Sequence, residues 1–174
     1  MKLLRFVRNF ASILGLVFTV GHSAFAQSGA AGGSEINVYM GTMLPNQIDG
    51  VDEILPVFGG RYSFDTNIGM IELGGTNSHA RGIDFTTIEA NLRHDVPIDE
   101  GVIGLIGGGL DFNWYIPKNE SSRKAETGFN ITAGGMMSVS QTFWLRTDLK
   151  FMGGPGTSLT LLFGFVFRDD TAGN

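Results

Sequence analysis

From residue 36 onward the chain alternates apolar and polar positions, and turn-forming clusters break the alternation into separate runs. A period of two is the signature of extended strands, because successive side chains leave a strand on opposite faces. Eight segments result: 36–44, 54–65, 68–76, 83–93, 102–116, 125–139, 142–152 and 158–168. The last is the plainest, with Leu159, Leu161, Phe163, Phe165 and Phe167 on one face. In the sixth, Phe129, Ile131, Ala133 and Met137 oppose Glu126, Asn130 and Thr132. No helical period occurs in this stretch. Segments of roughly ten residues suit tilted strands that cross a bilayer. The pattern predicts an all-β chain, an eight-stranded antiparallel up-and-down transmembrane β-barrel over residues 35–168.

The breaks add an orientation. Those after the odd strands, at 45–53, 77–82, 117–124 and 153–157, are long or polar. Those after the second and sixth strands are tight, at Thr66-Asn67 and Ser140-Gln141, while the one after the fourth, 94–101, is long and departs from the pattern. Long connections on one side and short ones on the other are the outer-membrane arrangement. An even strand number then puts both barrel termini on the periplasmic side.

The first residues read differently. Lys2, Arg5 and Arg8 precede an apolar run at 10–20, and Ala24-Phe25-Ala26 offers a small-x-small cleavage site. This is the layout of a secretory signal peptide over 1–26, and its apolar run is too short to span a membrane. Residues 27–34 form a small-residue leader and 169–174 a short tail. Removal of the signal takes the formal charge from −5 to −8, since 9 Lys+Arg then face 17 Asp+Glu. An acidic product lacks the footprint of a nucleic-acid binder. Cysteine is absent, so neither a disulfide framework nor a lipid-anchored cysteine is available.

Alternation alone does not separate a membrane barrel from a soluble one turned inside out. Composition does. Charged residues are 17% of the chain, and beyond the signal the only lysines are Lys118, Lys124 and Lys150. A solvated outer face would carry far more charge to resist aggregation. Aromatic residues gather towards strand ends, with Tyr62, Phe64, Phe143, Phe165 and Phe167 at one end and Phe112, Trp114 and Phe151 at the other, as interfacial girdles do. Gly107, Gly109 and Gly134 on the polar face suit a crowded lumen.

The signal layout, the eight alternating segments and a last strand with Thr160, Phe165 and Phe167 resemble the small outer-membrane β-barrels of the OmpA/OmpX type. Leu162 stands where that family tends to place a glycine, and Gly164 follows. The resemblance implies a bacterial outer-membrane location, outer-membrane lipid as surroundings, periplasmic chaperones and the barrel assembly machinery as partners during biogenesis, and a monomer.

Chemistry is sparse. His79 and His94 are the only histidines beyond the signal. Ser78-His79 invites comparison with the lipid A deacylases, eight-stranded barrels that use Ser and His, but adjacent residues of a strand point opposite ways. His94-Asp95 reads as a turn. Asp49, Asp52 and Glu53 lack calcium-loop spacing, and Gly107-Gly108-Gly109 and Gly153-Gly154-Pro155-Gly156 lack the residues that complete a phosphate loop. No cofactor, metal site or catalytic residue is expected. The informative set is Arg61, Glu72, Glu89, Asp111, Arg146 and Asp148, all near mid-strand on the polar face. A charge at mid-membrane facing lipid costs about 2–4 kcal/mol, so these should meet inside the barrel as an ion-pair network. Arg61 and Glu72 are about equidistant from the Thr66-Asn67 turn and should sit nearly opposite each other. The function expected is a structural or surface-interaction scaffold with four outward loops and a filled lumen, not an enzyme. The alternatives are a narrow ion or small-solute channel, a lipid-modifying barrel enzyme, and a secreted soluble lipid-binding barrel.

Overall fold

In a computed structural model of the chain, residues 33–169 except Asn119 are described. The signal and most of the leader and tail inferred above lie outside them. The strands are β1 (Ser34–Asn46), β2 (Leu55–Thr66), β3 (Gly69–Ala80), β4 (Ile83–Asp99), β5 (Val102–Ile116), β6 (Lys124–Ser138), β7 (Phe143–Gly154) and β8 (Gly156–Asp169). Each pairs antiparallel with its sequence neighbour, and β1 pairs with β8, so the sheet closes. This is the architecture predicted from the alternation.

Register fixes the shape. Moving across pairs from Ile36 leads through Tyr62, Leu73, Ala90, Leu110, Phe129, Gly153 and Thr157 back to β1 at Asn46, ten residues along from the start. For eight strands that stagger implies a tilt of about 40° and a barrel radius of about 8 Å, a lumen that side chains fill. Closure also makes some glycines obligatory. A Cβ on Gly109 would lie 2.0 Å from the Ala90 carbonyl oxygen, and one on Gly134 2.3 Å from that of Thr147.

The alternation sorts residues inside out. Ile106, Leu110, Phe129, Ile131, Phe163 and Phe167 are all more than half exposed. Arg61, Glu72, Glu89, Arg93 and Asp111 are buried. Apolar area is hidden only if the surroundings are themselves apolar.

Three expected connections differ. The break at 94–101 is mostly strand: β4 runs on to Asp99, pairs with β5 as far as Val102 and turns at Glu100-Gly101. His94 and Asp95 are therefore strand residues rather than turn residues. The breaks at 77–82 and 153–157 shrink to turns at Arg81-Gly82 and Pro155, because polar residues there still pair in the ladder. Strand pairing depends on backbone hydrogen bonds, and a polar stretch keeps them as well as an apolar one. The mouth opposite the termini thus carries only two longer connections, at 47–54 and 117–123.

Candidate functional site: the lumen

The inward face is stratified. From its middle down to the rim at the termini runs a charged layer to which seven of the eight strands contribute. Asp111 (β5) accepts from Lys150 Nζ (β7) at 3.0 Å, and Lys150 also reaches Glu89 Oε2 (β4) at 2.6 Å. Arg61 (β2) donates to Glu89 from Nε at 3.0 Å and Nη2 at 2.9 Å, and to Asp148 (β7) from Nη1 at 3.1 Å. Arg146 (β7) donates to Asp148 at 3.0 Å and to Glu72 (β3) at 2.7 Å. Arg93 (β4) joins Glu72 and Glu35 (β1), each at 2.8 Å, and Arg168 (β8) reaches Glu35 at 3.2 Å. The result is one unbroken chain of alternating charge from Asp111 to Arg168. The remaining strand, β6, adds Asn130, which donates to Asp111 at 3.0 Å and to Asn91 at 2.7 Å.

All six residues singled out in the sequence, Arg61, Glu72, Glu89, Asp111, Arg146 and Asp148, lie in this layer, and each is at most 3% exposed. One detail is corrected. Arg61 is opposite Gly74, and Glu72 is opposite Ser63, so the two are diagonal neighbours at 3.7 Å. The turn sits at Asn67-Ile68, one residue beyond the expected Thr66-Asn67, and this moves the pairing by two residues. Four further members, Lys150, Arg93, Glu35 and Arg168, escaped the sequence reading. Lys150 had the right face in the alternation. Glu35, Arg93 and Arg168 lie at or beyond the ends of the predicted segments, and only the stagger brings them to one level.

The charged layer is capped on the mouth side and reaches the rim on the other, where Arg168 and Asp95 are each 21% exposed. Towards the mouth, Tyr39, Met43, Leu55, Val57, Phe85 and Met152 form part of an apolar cluster completed by Ile48 and Val51 from the 47–54 connection. That connection folds into the mouth: Val51 N–H donates to Ile48 at 3.0 Å, and Lys118 N–H donates to Gly50 at 2.9 Å. Gly50 has φ 68° and lies against Pro117, an approach that a side chain would block. Outside, Lys118 Nζ binds Glu53, Arg81 Nη1 binds Glu53 at 3.0 Å, and Lys124 Nζ binds Asp49. The Lys118 hydrogen bond, with Arg81 nearby, holds the Glu53 carboxyl below its usual range. Towards the termini, Leu105, Met136, Trp144 and Val166 form a second apolar cluster. The gap between Glu72, Asn91, Arg93, Thr132 and Arg146 has no room for a water molecule.

The other candidates separate. Ser78 is buried on the inward face of β3, while His79 is on the outward face and pairs with Asp84 of β4. No metal-holding group of His, Cys, Asp or Glu occurs among the described residues.

No family model and no curated protein matches the sequence. Solved structures do match in fold. The N-terminal β-barrel domain of Pseudomonas aeruginosa OprF aligns with TM-score 0.61 at 18% identity, covering 79% of this chain and 97% of that one. Neisserial surface protein A aligns with TM-score 0.61 at 13% identity, covering 81% and 97%. Ail, the attachment invasion locus protein of Yersinia pestis, aligns with TM-score 0.53 at 15% identity, covering 79% and 98%. At these identities the likeness is one of fold: the chain has the eight-stranded architecture of outer-membrane barrels.

Proposed function

We propose that the chain is an outer-membrane β-barrel that serves as a closed scaffold, presenting the exposed side of its mouth-side connections for surface contacts while blocking flow through its lumen. The outward apolar belt and the buried ionic lumen support the location, since only a bilayer rewards that inversion. The shared fold with OprF, neisserial surface protein A and Ail agrees with it. The observation that carries the closed reading is the unbroken ion-pair chain that fills the lumen beneath the mouth-side apolar cluster. An ion entering it would have to displace a matched charge and cross the mouth-side apolar packing.

Folded protein reconstituted in a planar bilayer should give no stable open-channel steps. Large, persistent conductance steps would replace this reading with the channel. Location is tested separately, by membrane fractionation and by the mobility difference between boiled and unboiled samples on a gel. A chain that fractionates as soluble would remove the bilayer from the argument.

A further inference from the structure

The inside of a membrane barrel is ordinarily polar. The compartment under the 47–54 connection is instead walled by Tyr39, Met43, Leu55, Phe85, Tyr115 and Met152. The lid fills it with two side chains. Ile48 and Val51 are 4% and 2% exposed, while Gln47, Asp49 and Asp52 beside them face water. Two aliphatic groups of a surface connection thus occupy an apolar cup much as a guest molecule would. Their tether is slight. Among the described residues, one backbone hydrogen bond, from Lys118 N–H to Gly50, ties the lid to another element. The remaining ties are the ion pairs of Glu53 with Lys118 and Arg81 and of Asp49 with Lys124, in which Arg81 and Asp49 are each 79% exposed. Solvated pairs of this kind hold weakly. Gln47 has φ 60°, a left-handed backbone that a residue with a Cβ adopts at a cost, and opening the lid would release it.

The walls of the cup also carry polar atoms that the lid does not meet. Ser78, Asn113 and Ser158 are all buried on the inward face. Both hydroxyls and the Asn113 amide nitrogen lack a hydrogen-bond partner among the described residues. The register puts the three at the level of the cup: Ser78 pairs with Phe85, Ser158 with Met152, and Asn113 with Thr87, two residues along from Phe85. Buried polar groups are seldom left unpaired. An amide nitrogen only donates and a hydroxyl can donate, so one acceptor oxygen is the group that suits them. It belongs to a neutral molecule, because an anion there would lie beside Asp111, two residues from Asn113 on the same face of β5.

We propose that the mouth is a latched binding cup for a small, neutral, mainly apolar molecule with an acceptor oxygen, which enters as the 47–54 lid swings out and takes the place of Ile48 and Val51. The apolar wall supplies the affinity, and Ser78, Asn113 and Ser158 select the oxygen. The charged layer lies beneath the cup, so binding requires no passage through the barrel.

The test titrates the detergent-folded barrel with cyclohexanone and follows the methyl resonances of Ile48, Val51, Leu55 and Val57. A shift that saturates in the millimolar range is expected. A barrel with Lys118→Ala and Lys124→Ala has a loosened latch and should bind the ketone severalfold more tightly. Asn113→Leu should bind it severalfold more weakly, as should Ser78→Ala with Ser158→Ala, a milder change that serves this arm if the leucine variant loses the folded gel mobility. Shifts that never saturate, or that appear only at outward methyls such as Leu149 and Leu161, would mean partition into detergent and overturn the proposal. Equal affinity with and without the latch would overturn it too, as would binding indifferent to the loss of the wall's polar atoms. Conductance is read separately, so steady channel steps in a bilayer would remove the closed reading and leave a saturable cup standing.

Discussion

The middle of the lumen and its mouth-side end are packed with opposite materials. The middle is built from Arg61, Glu72, Glu89, Arg93, Arg146 and Lys150, whose burial is tolerable because each charge meets at least two others. The mouth side is built from Met43, Leu55, Val57, Phe85 and Met152 under a lid of Ile48 and Val51. The two layers lie on the same strands and share one alternation. What differs is how each responds to loss. An apolar layer loses contacts when trimmed and can settle, whereas a charged layer left one partner short holds an unpaired ion in a place without water.

That contrast is sharpest at Arg61. Arg61→Ala leaves Glu89 and Asp148 short of a partner, and should lower the unfolding free energy of the detergent-folded barrel in urea by about 3–5 kcal/mol. A cost near zero would mean that water fills the gap and that the layer is wet. Leu55→Ala removes a fully buried side chain from the mouth-side cluster and should cost about 2–3 kcal/mol in the same titration, as the lid can partly follow the loss. Replacing both Arg61 and Glu89 with Met should cost less than Arg61→Ala alone, about 1–2 kcal/mol, because Lys150 keeps Asp111 and Arg146 keeps Asp148 and Glu72. If the double change cost as much as the single one, packing rather than charge balance would be limiting.

The smallest effect belongs to the exposed latch over the mouth. The Glu53 carboxyl is depressed by Lys118, so its contribution is complete above the usual value of 4.5 and fades as pH falls through the lowered one. Acidification should shift the Ile48 and Val51 methyl resonances with no change in global stability at neutral pH. In a Lys118→Ala barrel the same shift should begin at higher pH. Identical profiles would show that Lys118 does not hold the lid.

The sequence alone determined the strand number, the face on which each residue lies and the inversion of polarity, because a period of two is a local property of the backbone. The parity of Phe163, Arg61 and Asp148 was readable without any partner. Only the tertiary structure decided which charges meet. The ten-residue stagger brings Glu35 of β1 to Arg93 of β4, and the place of the β2–β3 turn makes Arg61 and Glu72 diagonal rather than opposite neighbours. Strand ends were likewise hidden: the polar stretch at 77–80 satisfies a ladder through its backbone, and at 94–99 Pro97 and the flanking acids mask the alternation of Val96 and Ile98. Closure is a property of all eight strands together, and no window of sequence contains it.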